Sequence, residues 1–154
     1  MSSFDRYLHT IIERGSDEAH QDGSATIEAQ HLLLAIAAQP EPTLTSAGLD
    51  HQAIRDALDR EFEHSLSVAG VSRAAFDLPR PTRSPKPPTQ LGASAKLALE
   101  RIARAHRKKD LRPAHLLLGI LQAQAGTVPR ALALAGVDQA DLTARVLRTL
   151  PDGD

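Results

Sequence analysis

One segment of this 154-residue chain occurs twice. His31-Leu32-Leu33-Leu34-Ala35-Ile36 returns 84 positions later as His115-Leu116-Leu117-Leu118-Gly119-Ile120, identical at five of six positions. Ala47-Gly48-Leu49-Asp50 returns as Ala135-Gly136-Val137-Asp138, now at an offset of 88, so the second copy has four extra residues between the two landmarks. Ile54, Leu58 and Phe62 match Leu142, Val146 and Leu150 at that same offset. Two landmarks repeated in order mean that any fold must be built twice from one supersecondary unit.

Each copy reads as four helices. Phe4, Leu8, Ile11, Ile12 and Ala19 recur at helical spacing in the first, and Leu91, Ala95, Ala98, Leu99, Ile102 and Ala105 in the second. The second helix holds the His-Leu-Leu-Leu segment, is apolar on nearly all sides, and is expected to be the buried centre. Pro40 ends it in copy one, and Pro113 sits near its start in copy two, where a missing N–H costs little. Thr26 and Asp110 are expected N-caps. Gly48 and Gly136 suit left-handed C′ positions closing a short third helix, and Asp50 and Asp138 then cap the fourth. Between the copies, Pro79, Pro81, Pro85, Pro87 and Pro88 make up half of the ten prolines. The expected organisation is repeat one over residues 1–64, a Pro/Arg-rich linker over 65–90 and repeat two over 91–150. The fold class is all-α, with two four-helix repeats packed as one domain.

Composition then excludes chemistry. There is no Cys, hence no disulfide, thiolate nucleophile, zinc–cysteine site or iron–sulfur cluster. No Gly is followed by Lys, so there is no phosphate-binding P-loop, and no Gly-x-Ser-x-Gly elbow is present. No two of the seven His lie three or four residues apart, so no metal and no cofactor are expected. The N-terminus lacks a basic-plus-apolar signal, and the longest apolar run, Leu32–Ala38, is too short to span a bilayer, so a cytoplasmic, membrane-free protein without catalytic activity is expected. Net charge is −1, but unevenly spread: residues 1–77 carry 5 basic and 13 acidic side chains, and residues 78–154 carry 13 and 6. Halves of opposite sign attract each other or face different partners.

Three clusters invite a functional reading. Asp56, Asp59, Glu61 and Glu63 crowd the fourth helix of copy one, where a solvated face outweighs a paired-carboxylate acid/base site. His31 and His115 read as hydrogen-bonded structural residues, because repetition at equivalent positions is what a structural role demands. Arg101, Arg104, Arg107, Lys108, Lys109 and Arg112 form a basic patch, and a nucleic-acid-associated regulator is the alternative function it allows. No aromatic residue for base stacking interleaves it, so a solvated face is favoured.

The duplicated His-Leu-Leu-Leu-x-Ile helix, followed each time by Ala-Gly-x-Asp, resembles the double Clp repeat, the N-terminal domain of ClpA- and ClpC-type AAA+ unfoldases. The family's Ile-Gly-Thr-Glu-His-Leu-Leu-Leu-Gly-Leu stands here as Ile27-Glu28-Ala29-Gln30-His31-Leu32-Leu33-Leu34-Ala35-Ile36 and as Leu111-Arg112-Pro113-Ala114-His115-Leu116-Leu117-Leu118-Gly119-Ile120. The family's opening of copy two, Phe-Thr-Pro-x-Ala-Lys, stands as Leu91-Gly92-Ala93-Ser94-Ala95-Lys96. The resemblance implies a stand-alone recognition module for peptides, adaptors or substrates of a Clp unfoldase, with no motor of its own. It also implies a groove between the first helices of the copies, lined by Phe4, His9 and Ile12 and by Leu91, Lys96 and Glu100, where related domains take hydrophobic cyclic-peptide antibiotics. A decoy that sequesters such a peptide is one form this role takes. The family's phosphoarginine positions fall on Gln30 and Ala114, where both carboxylates are missing. Guanidinium groups are held best by bidentate carboxylates. Calorimetric titration with phosphoarginine is therefore predicted to give weak or no heat of binding; micromolar affinity would contradict it.

Overall fold

A helix apolar around its whole circumference is stable only when surrounded. In the computed structural model, which describes residues 2–70 and 86–151, the two His-Leu-Leu-Leu segments become α2 (Ala29–Ala37) and α6 (Pro113–Leu121). Leu32, Leu33, Leu116, Leu117 and Ile120 are buried in one core shared by both copies. Around α2 lie α1 (Ser3–Asp22), α3 (Pro42–Ser46) and α4 (His51–Val68). Around α6 lie α5 (Ala93–Ala105), α7 (Thr127–Leu134) and α8 (Gln139–Thr149), with a 3-10 turn at Lys108–Asp110. Packing partners exchange when the copies are exchanged. Helix α1 rests on α2 and α6, while α5 rests on α6 and α2; α4 meets α7, while α8 meets α3. That reciprocity is a two-fold relation between two four-helix repeats.

Local chemistry sets the helix ends. Ser2 and Asp5 form a reciprocal capping box on α1. Asp50 and Asp138 accept the N–H groups of Ala53 and Asp141, and Gly48 and Gly136 both turn at φ +74°. The expected caps Thr26 and Asp110 are corrected: the N-caps are Glu28 and Arg112, two residues later. The histidines are the reason. His31 Nδ1 accepts the Glu28 backbone N–H and His115 Nδ1 accepts that of Arg112, each at 2.8 Å. An imidazole in the first turn thus satisfies the N-cap N–H, the role a Glu side chain plays in a capping box. Thr26 instead donates to Glu28 Oε2, and Asp110 pairs with Arg107. Helix α4 continues through Val68, four residues into the segment expected as linker; Pro79, Pro81 and Pro85 lie outside the described residues.

The two copies are joined edge to edge at one point. Ile27 and Leu91 form an isolated parallel bridge, with Ile27 N–H on the Gln90 carbonyl (2.9 Å) and Gly92 N–H on the Ile27 carbonyl (2.8 Å). Glu28 crosses the same seam: its Oε1 accepts from the backbone N–H and hydroxyl of Ser94, in the first turn of α5, and Ser94 Oγ accepts the Ala29 N–H. A carboxylate at a helix N-terminus is favourable, and here it comes from the other copy. Gly92 makes room for it, since a Cβ there would fall 1.7 Å from Glu28 Oε2. Charge complementarity adds Lys108–Asp5 (3.6 Å) and Arg130–Glu61 (3.0 Å), both between copies. Glu61 is buried and also accepts from Ser65, so this member of the acidic cluster is not on a solvated face.

Two predictions follow from this packing. A Cβ on Gly119 would lie 2.7 Å from the Ala98 carbonyl oxygen of α5, a backbone atom that cannot turn aside. Gly119→Ala is expected to cost about 1–3 kcal/mol by urea denaturation, with the slope unchanged. Burial works to raise the Glu28 pKa, but hydrogen bonds from Thr26 and Ser94 outweigh it and hold the carboxyl below its ordinary 4.5. A depressed folded pKa contributes stability above the unfolded value and loses it as pH falls through the folded one. Glu28→Gln should therefore lower stability by about 1–2 kcal/mol at neutral pH. It should also flatten the decline in stability between neutral pH and the acid side of pH 4.5, read as denaturation midpoints across that range.

Candidate functional site: two clefts beside the repeat junction

The residues expected to line one groove are only partly brought together. Helices α1 and α5 both lie on α2 and α6, which form a common floor. Phe4 faces inward, buried, its ring 6.4 Å from that of Tyr7. Ile12 and Leu91 are half-buried against the core. His9 is exposed and paired with Glu13 at 3.0 Å on its own helix. Lys96 and Glu100 are exposed on α5, where Glu100 approaches Arg104 at 4.0 Å.

A cleft with a volume of about 290 Å³ lies against α5. It opens between the start of α2, one face of α5 and the loop leading into α7, and Gln30 is on its wall. Leu97 lines it while remaining 50% exposed. Arg101 also lines it and donates to the Gly119 carbonyl at 2.9 Å. Val128 and Pro129 complete an apolar side. Sequence reasoning missed Leu97, although an exposed Leu among the small and charged residues of α5 was the available signal. Ala114 is not on this wall; it packs against the core.

A second, larger cleft of about 680 Å³ lies in repeat two, between the Ala105–Arg112 segment and the end of α8. Its counterpart in repeat one, nine residues before the histidine in each case, explains its character. There His31 Nε2 meets Asp22 Oδ2 at 2.7 Å, and Ser24 donates to the same carboxylate. Burial raises the Asp22 pKa, but the His31 and Ser24 hydrogen bonds more than offset it and hold the carboxyl low. Repeat two has His106 where repeat one has Asp22, and Arg112 where repeat one has Glu28. The His106 and His115 rings pack against each other at a tilt of 58°, with centroids 4.4 Å apart. Burial first, then the His106 and Arg112 charges, push the His115 pKa down. With Nδ1 accepting the Arg112 N–H, His115 carries its proton on Nε2.

The remaining clusters are distributed rather than convergent. Within the basic patch, Arg104, Arg107 and Lys108 have carboxylate partners at Glu100, Asp110 and Asp5. Lys109 and Arg112 have none among the described residues. On α4, Asp56 is bonded by Gln52 and Glu61 by Arg130, so the acidic residues do not form a carboxylate pair. Among the described residues no three His, Asp or Glu side chains gather as metal ligands, and no helix is long and apolar enough to cross a membrane.

Comparison with known proteins agrees with this architecture. The N-terminal domain of the caseinolytic protease associated chaperone ClpD from Arabidopsis thaliana has a similar crystal structure, with a TM-score of 0.64 over 92% of this chain and 90% of that one at 22% identity. At that identity the likeness concerns the fold. No curated protein matches the sequence. The family model of the Clp repeat N-terminal domain matches twice, over residues 3–83 and 93–154, one match for each copy. The chain belongs to the Clp repeat N-terminal domain family.

Proposed function

We propose that this chain is a non-catalytic recognition module of a Clp system in the cytoplasm, holding peptide segments of adaptors or substrates along the exposed side of α5. The observation that carries the reading is Leu97, an apolar side chain half in solvent that lines the junction cleft together with Arg101. An apolar anchor flanked by a few charges is the usual economy of peptide grooves. Lys96 and Glu100 are exposed on the same helix and add charge to this surface. A hydrophobic cyclic peptide suits this surface as well, and an abundant domain of this kind would act as a decoy by mass action once its concentration exceeds the dissociation constant.

The test uses the wild-type chain, Leu97→Asp and Lys96→Ala/Glu100→Ala as baits in a native lysate, with a cyclomarin-type cyclic peptide titrated against each. The expected result is loss of captured partners with Leu97→Asp. The double variant should weaken cyclic-peptide binding about tenfold, the consequence of losing ~1.4 kcal/mol. Equal recovery and equal affinity across the three proteins would remove the working surface from α5.

A further inference from the structure

The cleft in repeat two shares no lining residue with the junction cleft on α5 and has a different chemistry. Copy one shows what its histidine donor takes: Asp22 Oδ2 sits 2.7 Å from His31 Nε2, an oxyanion supplied by the chain itself. Copy two keeps the histidine, its backbone bond and the nine-residue spacing, but replaces the carboxylate with His106. His115 is 5% exposed, and its Nε2 has no hydrogen-bond partner among the described residues. The same side chain lines the cleft. Among the described residues no fully buried side-chain polar atom lacks a partner, so this Nε2 is left to solvent or to a ligand in the cleft.

The surroundings select the ligand. Lys109 and Arg112 line the cleft with no carboxylate partner among the described residues, whereas Arg107 and Asp110, which also line it, pair with each other at 3.1 Å. Two uncompensated cations plus a neutral N–H donor match a dianion better than a single carboxylate. Leu147 and Leu150 form the opposite wall, and Leu147 is 50% exposed. No Phe or Tyr lines the cleft, and its apolar wall is aliphatic.

We propose that the repeat-two cleft binds an organic phosphate monoester, its phosphate received by His115 Nε2–H, Arg112 and Lys109, and its organic part laid against Leu147 and Leu150. An oxyanion from outside thus takes the place that Asp22 fills in repeat one. Phosphate oxygens could also arrive as the diesters of a nucleic-acid strand, and the experiment separates the two.

The whole chain, labelled with ¹⁵N, is titrated with phenyl phosphate, inorganic phosphate and a short single-stranded oligonucleotide while the histidine side-chain and backbone resonances are followed. The expected result is a saturable shift of His115 Nε2 with phenyl phosphate, tighter than with inorganic phosphate and tighter than with the oligonucleotide. Arg112→Gln should weaken it about tenfold or more, the loss of ~1.4 kcal/mol. His106→Asp restores the carboxylate of copy one, and should abolish binding without lowering the melting temperature. No saturable shift at millimolar phenyl phosphate would overturn the proposal. So would unchanged affinity in both variants, and so would tighter binding of the oligonucleotide. These substitutions lie off the exposed side of α5, so partner capture through Leu97 can fail or succeed independently.

Discussion

Mutual enclosure of α2 and α6 is the constraint from which the rest of the fold descends. Neither helix has a polar face to give to water, and the three neighbours from one copy do not cover all of its sides. Each central helix is therefore completed by elements of the other copy: α2 by α5 and α7, α6 by α1. Burying a Leu side chain is worth roughly 1.5–3 kcal/mol. The leucine triplets of both copies thus contribute to one shared core, and their stabilisation is available only when the copies associate. The two-fold relation is the geometry by which two equal units satisfy the same need reciprocally.

Within that frame, duplication has kept the structural half of the histidine and released the other half. In both copies Nδ1 closes the helix start through the N-cap N–H. What stands nine residues earlier differs: a carboxylate bonded to Nε2 and held by its own hydrogen bonds in the first copy, a second imidazole packed against the ring in the other. The first arrangement is internally complete and contributes to stability. The second leaves a donor and two cations facing a cleft. One copy can hold the fold while its twin diverges, because the backbone bond that both require is untouched by the exchange.

Much of this was legible in the residues. The repeated leucine triplets identified the central helices, and the paired glycines and aspartates placed the end of the third helix and the start of the fourth, because those signals act over a few residues of chain. The caps of α2 and α6 were misplaced because Thr26 and Asp110 are good capping residues by type, whereas the histidine bond that moves the boundary depends on ring orientation. The burial of Glu61 was hidden because its partner, Arg130, is distant in sequence and on the other copy. Among the expected groove residues, Phe4 was drawn inward by the apolar core, while His9 was occupied by its own helix neighbour. Leu97 escaped notice because helical periodicity identifies the inward face of α5 and is silent on which outward residue borders a cleft.

The seam at Ile27 and Gln90 has a consequence for the connection between the copies. Both ends of that connection are fastened independently of its course: α4 is held by its packing on α7 and by Glu61–Arg130, and the chain re-enters at the Ile27 bridge with Ser16 donating to the Pro88 carbonyl. Closure entropy grows only by about 0.6 kcal/mol for each doubling of a loop. An insertion between Gly70 and Lys86 leaves both of these anchors in place.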